Sequence, residues 1–147
     1  MSDSIHAAAA PAAVGAYPHA RRVGELLFLS GIGPRQPGSN QIAGNDYFAD
    51  GRVRSYDIAA QTRAVFANVR SVLKAAGARW EDLVDVTVFL TDMKHDFATY
   101  NTIWTEFFPE PANAPCRTTV GITALPTPIA IELKCIAVIP APLAGEG

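Results

Sequence analysis

The sequence predicts an α/β fold: a sheet carrying two helices on one of its faces. Three observations predict it. Residues 55–77 repeat apolar side chains at helical spacing, alternating apolar strands stand before and after, and a second helical stretch at 94–108 separates two of those strands. The expected element order is β-β-(long loop)-α-β-α-β-β.

The first two strands come from "RRVGELLFLSG". Val23, the Gly24–Glu25 pair and the apolar run from Leu26 read as a hairpin ending near Gly31. The Gly-, Pro-, Asn- and Asp-rich stretch at 35–57 then reads as a long loop, and loops of that length are usually functional or mobile. In the first helix Ile58, Val65, Phe66, Val69, Val72, Leu73 and Ala76 form the inner stripe, with Thr62 filling a gap. Gln61, Arg63, Asn68, Arg70 and Lys74 are expected on the outer face. Ser55 or Asp57 can cap its start and Gly77 its end. The strand at 81–92 places Val84, Val86, Val88 and Leu90 on one face and Asp85, Thr87, Phe89 and Thr91 on the other. The second helix takes Asp96 as N-cap and turns Phe97, Tyr100, Ile103, Trp104 and Phe107 inward. Two strands, 116–124 and 129–139, close the order. Both of their faces are apolar or small, so the face without helices is expected to be covered by another copy of the chain.

The 147 residues are expected to form one domain, 1–147, with enough apolar content (49%) to build a core without cross-links. A formal charge of −2, with only "HARR" and "GRVR" as basic clusters, supplies no field for a polyanion, which excludes nucleic acid as the expected partner. No apolar run reaches the length of a membrane span, and the alanine-rich start lacks the cationic and apolar regions of a signal peptide, so a cytoplasmic protein is expected. Cys116 and Cys135 read as the buried thiols of a reduced protein, though on facing strands they could approach one another. His6, His19 and His95 lack metal-ligand spacing, and no metal is expected. "GIGPRQPG" lacks the strand-to-helix context of a nucleotide loop.

The last two strands each carry an ionisable side chain. If "LPTP" at 125–128 is a hairpin turn, Gly121 lies opposite Glu132 and Thr119 opposite Lys134. Arg117 then shares their face, roughly 13 Å along the sheet from Glu132. The two could lean together over the small floor of Thr119 and Gly121 and hold a small ligand. Arginine suits a carboxylate, and a neighbouring glutamate can orient or deprotonate water. A salt bridge across a subunit interface explains the same pair.

Taken in order, "PAAVGAY" (11–17), "LFLSGIGP" (27–34), "QTRAVFANVRSVLKAAG" (61–77), "VTVFLTDMKHDFATYN" (86–101), "CRTTV" (116–120) and "IELKCIAV" (131–138) resemble the reactive-intermediate deaminase family, Rid or YjgF. The resemblance implies a chorismate-mutase-like fold and a homotrimer with sites in the clefts between subunits. It implies that Arg117 holds the substrate carboxylate and Glu132 positions the attacking water. Tyr17, Ser30, Gly31 and Asn101 stand at further substrate-binding positions. Singly, Tyr17 also reads as an interface aromatic, Ser30 as a turn residue and Asn101 as a surface amide. Thr119 stands where the archetypal enzymes carry cysteine, which implies a different substrate.

"SGIGPR", the long loop and Thr119 further resemble the 2-aminomuconate deaminase branch, whose cofactor-free reaction gives 4-oxalocrotonate and ammonia in aromatic catabolism. A diacid needs a second grip, for which Arg35, Arg52, Arg54 and Lys134 are the candidates. The resemblance leaves open a general 2-imino-acid deaminase, and a non-enzymatic ligand-binding regulator.

Overall fold

The structure, a computed structural model, describes residues 2–140. β1 (Ser2–Ile5), β2 (Ala20–Val23) and β3 (Leu26–Leu29) form an antiparallel meander. β4 (Asp46–Tyr47) and β5 (Val53–Ser55) make a small separate hairpin before α1 (Ile58–Ala75). β6 (Leu83–Leu90), α2 (Met93–Phe107), β7 (Cys116–Gly121) and β8 (Ile131–Val138) complete the order. The main sheet runs β1-β2-β3-β8-β6-β7, with β6 and β7 parallel and the other pairs antiparallel. Both helices pack on one face of this mixed sheet, as the sequence predicts. Two elements were not expected: β1, whose Ser-Asp-Ser sequence carries no apolar alternation, and the β4–β5 hairpin inside the long loop.

The β2–β3 hairpin closes through Gly24–Glu25, with Val23 opposite Leu26 and Gly24 at φ 61°, a backbone region open to glycine. The expected pairing of 116–124 with 129–139 does not form. β7 lies beside β6, with Arg117 in register with Val86, while β8 inserts between β3 and β6, with Glu132 in register with Phe89. A proline turn signals a reversal of the chain but not which strand the returning segment joins.

The inner stripe of α1 is buried as predicted, with Ala76 half-buried. Asp57 caps its start, accepting from the Ala60 N–H at 3.2 Å, and Gly77, at φ 76°, follows its end. Gln61 and Asn68, expected outside, are buried. Gln61 accepts from the Ala130 N–H at 2.8 Å and donates to Asn45 Oδ1 at 2.7 Å; Asn45 in turn donates to the Pro128 carbonyl at 2.8 Å. Asn68 donates to the carbonyls of Gly33 and Arg35, each at 2.8 Å. These two amides satisfy backbone groups of irregular segments that have no sheet partner, which is why they lie inside.

Three further expectations are corrected. Asp92 caps α2, accepting from the His95 N–H at 3.1 Å, whereas Asp96 is fully buried. Phe97 remains exposed, while Tyr100, Ile103 and Trp104 are buried. In β6 an irregularity between Leu83 and Asp85 turns Val84 outward and Leu83 inward. Cys116 and Cys135 do not face one another: they are in register with the adjacent residues Asp85 and Val86 and so point to opposite sides. Cys116 is exposed; Cys135 is buried, which pushes its thiol up to about 12.

A tight aromatic group fills the seam between the helices, where Phe66 meets Phe107 at 4.7 Å and Trp104 meets Phe108 at 4.4 Å between ring centroids. The opposite face of the sheet carries half-buried Phe28, Phe89, Val120 and Ile136 beside exposed Leu26, with no helix over them. Among the described residues no helix is long and apolar enough to cross a membrane.

Replacing Gln61 with alanine strands the Ala130 N–H and the Asn45 carbonyl oxygen together. Gln61→Ala should lower the unfolding free energy by about 1–3 kcal/mol in equilibrium urea denaturation. An unchanged midpoint would mean that water substitutes for the amide.

Candidate active site

The candidate site residues fall into two groups, and the pleat of the sheet sets them apart. Residues in register share a face. Val86 and Val88 point into the helix layer, so their neighbours Arg117 and Thr119 do too. Glu132 is in register with Phe89 on the open face. Within one copy of the chain Arg117 and Glu132 therefore belong to different surfaces, and the expected cradle over Thr119 and Gly121 is not formed.

The arginine group lies where β7 runs under α2. The Arg117 guanidinium sits 4.9 Å from the Trp104 ring centre, 5.3 Å from Tyr100 and 5.9 Å from Phe97, and donates to Asn101 Oδ1 at 2.9 Å. Tyr100 is fully buried and its hydroxyl meets Thr119 Oγ1 at 3.0 Å. Burial raises the Tyr100 pKa, with Thr119 and Arg117 acting the other way, so the phenol stays neutral. A guanidinium stacked on rings and held by one amide keeps its remaining N–H groups in a fixed fork, the geometry that grips a carboxylate. The aromatic platform is visible in the sequence as the Phe97, Tyr100, Trp104 spacing, which reads equally well as a plain core stripe.

The glutamate group lines a cleft of about 210 Å³ walled by Val14, Tyr17, Gly31, Arg35, Thr127 and Ile129. The segment after β3 is laid against β8 by reciprocal Ile32–Leu133 backbone bonds of 2.9 Å, which brings Gly31 beside Glu132. A Cβ on Gly31 would stand 2.9 Å from Glu132 Oε2, so only glycine lets the carboxylate lie there undisturbed. Glu132 is half-buried, and burial alone pushes its carboxyl above the usual carboxylate range. Ser30 donates to the Pro18 carbonyl at 2.7 Å and Tyr17 accepts from the Val14 N–H at 3.3 Å, so both fix the N-terminal segment as the cleft's rim. His19 continues that bracing, accepting from the Ala7 N–H at 3.0 Å and meeting the Pro11 carbonyl at 2.7 Å.

The structure thus gathers Tyr17, Ser30, Gly31 and Glu132 in one place and Asn101, Arg117 and Thr119 in another. Of the cations considered for a second grip, Arg35 alone lines the Glu132 cleft, with one N–H on the Ala12 carbonyl and its backbone held by buried Asn68. Arg52 pairs with Asp50 at 2.7 Å and Arg54 with Asp46 at 2.5 Å, both exposed. Lys134 lies on the open face and donates to the Leu29 carbonyl. Among the described residues no group of three His, Cys, Asp or Glu side chains is placed to hold a metal.

A helix-covered mixed sheet with a small acid-lined cleft defines the class, and comparison with known proteins defines the family. The fold superposes on the crystal structure of the YjgF gene product of Escherichia coli with a TM-score of 0.77, 34% identity, and coverage of 92% of this chain and 98% of that one. Residues 7–139 match the family described as Endoribonuclease L-PSP, and the chain belongs to that family, the Rid/YjgF group that its sequence resembles. A RutC family protein of Synechocystis is 37% identical over 136 residues, 92% of this chain and 95% of that protein. The 2-iminobutanoate/2-iminopropanoate deaminase of E. coli K12 is 35% identical over 139 residues, 94% of this chain and 98% of that enzyme.

A carboxyl with a raised pKa costs folding energy when it is ionised and less as it takes up a proton. Glu132→Gln should therefore melt higher than wild type at neutral pH, and the difference should shrink as the pH falls through the carboxyl's elevated pKa. A gap independent of pH, followed by thermal denaturation across the acid range, would contradict the burial of its charge.

Proposed function

We propose that this chain is a deaminase of small 2-imino (or enamine) carboxylates, working without a cofactor, with its site completed between two copies of the chain in a homotrimer. The observation that carries the proposal is the division of labour between two surfaces: one presents an oriented carboxylate grip, the other a half-buried carboxylate with an elevated pKa. Each lacks what the other holds. The open apolar face supplies the surface on which copies can join, and relatives named as imine deaminases supply the reaction class. The −2 charge and the small cleft favour a small molecule over a nucleic acid.

The chemistry follows from the groups. An enamine takes a proton at carbon and becomes an imine, whose C2 is already electrophilic, so no metal or organic group has to activate it. Arg117 binds the adjacent carboxylate through two parallel N–H donors and draws charge from C2. Glu132 accepts a proton from the water that adds to C2, then returns it to the departing nitrogen. The remaining proton of the C2 hydroxyl then passes to the nitrogen by way of Glu132, the C–N bond breaks as ammonia leaves, and the C2 oxygen becomes the carbonyl of a 2-oxo acid. A carboxylate with an elevated pKa suits both halves of that exchange. Tyr17, Ser30 and Gly31 shape the rim and floor in which the water is held.

A second reading, the six-carbon diacid 2-aminomuconate going to 4-oxalocrotonate, is favoured by Arg35. It supplies a cation on the wall of the same cleft, where the distal carboxylate of a longer substrate would reach. Thr119, tied to Tyr100, leaves a small hydroxyl beside the arginine fork.

Two measurements test the proposal. Ammonia release from 2-iminopropionate and from 2-aminomuconate should fall at least about a hundredfold in Arg117→Ala and in Glu132→Gln. Co-refolding those two inactive variants in equal amounts should restore about a quarter of wild-type activity, because a quarter of randomly mixed neighbouring pairs unite an intact Arg117 with an intact Glu132. No recovery would place both groups in one copy, full activity in either variant would remove that residue from the catalytic step, and no activity of the wild type on either substrate would favour a binding role without catalysis. Arg35→Ala should raise KM for the diacid and leave the monoacid unchanged; equal effects on both would remove the second reading.

A further inference from the structure

A second cleft adjoins that of Glu132 and shares Thr127 and Ile129 with it. It is an open groove of about 600 Å³ between the end of β5, the start of α2 and the segment 123–130. We propose that this cleft is a second ligand site that takes a small organic carboxylate, with the oriented His95 ring as its anion grip. It does not depend on the deaminase reading.

His95 is held at three points. Its backbone N–H donates to Asp92 Oδ1 at 3.1 Å, its Nδ1 meets Asp96 Oδ1 at 2.5 Å, and its ring stands edge-on to Tyr56 at 5.8 Å between centroids. Asp96 is fully buried, and its second oxygen accepts the Tyr56 hydroxyl at 2.7 Å. Asp96 accepts on both sides, so the His95 hydrogen is on Nδ1 and Nε2 is left for the cleft. A carboxylate removed from water is costly unless its hydrogen bonds serve something. Here both bonds end on side chains that line the cleft, and the ring they orient is itself 62% exposed. That is the arrangement by which a buried carboxylate fixes the tautomer and direction of an imidazole.

The charges around the ring decide the ligand. From α2, Asp92 and Asp96 face it; from the end of β5 come Tyr56 and Arg54; the third wall, 123–130, carries no titratable group. The bond to Asp96 raises the His95 pKa above that of a free imidazole, so the cationic ring persists further toward neutrality. Burial and Asp96 both raise the Tyr56 pKa and keep its hydroxyl protonated. Arg54 is already half-neutralised by Asp46 at 2.5 Å. His95 and Arg54 are each already paired with a carboxylate, Asp96 and Asp46, and Asp92 stands at the same helix end, so the field opposes a doubly charged phosphate more than a singly charged carboxylate held by one bond from Nε2. Val53, Leu125, Pro128 and Ile129 offer an apolar wall for the ligand's body, and the volume lies in the usual range for small-molecule sites. Thr127 and Ile129 line both this cleft and that of Glu132, so a ligand held here presses on the wall of the proposed active site.

The test uses benzoate, a planar monocarboxylate, and histidine-labelled full-length protein carrying Arg117→Ala and Arg35→Ala, which remove the two other carboxylate grips. Benzoate should move the His95 ring resonances saturably while those of His6 and His19 stay in place. Its affinity, by calorimetry, should fall at least about tenfold between about pH 6 and about pH 9 as the ring loses its proton. His95→Gln, a change at an exposed ring, should abolish binding. Asp96→Asn, which keeps a hydrogen-bonding group but removes the charge, should shift the pH midpoint of binding downward. Immobile His95 resonances, undiminished binding in His95→Gln, or an affinity indifferent to pH would each overturn the proposal.

Discussion

Because β6 and β7 run parallel, the chain between them has to cross the sheet before it can return in the same direction, and α2 is that crossing. The helix is laid over the strand that follows it, so Asn101, Tyr100 and Trp104 come down on Arg117 and Thr119. β8 then returns antiparallel on the other side of β6, one strand removed from β7, with its own alternation of faces. The offset between register positions Val86 and Phe89 is odd, and an odd offset in a pleated sheet changes the face. That parity turns Arg117 into the helix layer and Glu132 into the open side, and the proposed division of the site between copies follows from it.

Much of this was legible in the sequence. The stripe of α1, the Gly24 turn and the order of the elements are local patterns, fixed by periodicity and by the backbone freedom of a few residues. Pairing between distant strands is not local. "LPTP" announces a reversal at 125–128, and the sequence does not record that β6, made before the whole of α2, takes the place beside β8. Polarity misled in the same way at Gln61 and Asn68, which look like surface amides until their backbone partners, the Ala130 N–H and the carbonyls of Gly33 and Arg35, are in view. Asp92 and Asp96 both have the chemistry of a cap, and the Tyr56 hydroxyl, which donates to Asp96, tells them apart. The candidate site residues were readable as individuals through the family resemblance. Their grouping was not, since it depends on register.

The two groups also differ in how they are held. Arg117 rests on Trp104, and Trp104 belongs to the aromatic seam that joins the helices, so the arginine's orientation is tied to the core. Glu132 has no such brace. It lies against a glycine, under a rim made by the N-terminal segment and tied down by a few side-chain bonds of Ser30, Tyr17, His19 and Arg35. Rigidity on one side and a lightly fastened rim on the other suit a reaction in which one group keeps hold of the substrate while the other exchanges protons and lets ammonia leave.

The opposition of the two surfaces also constrains how copies can be counted. A contact joining one surface of a chain to a different surface of the next runs head to tail, and it ends only when the last copy meets the first. In the proposed arrangement two chains joined once would own one finished site and leave one arginine fork and one glutamate cleft idle. Three chains in a closed ring would own three. Output per chain would then double between the joined pair and the closed ring with no change in any chain's fold, so the amount of protein present would itself set how efficiently each molecule works.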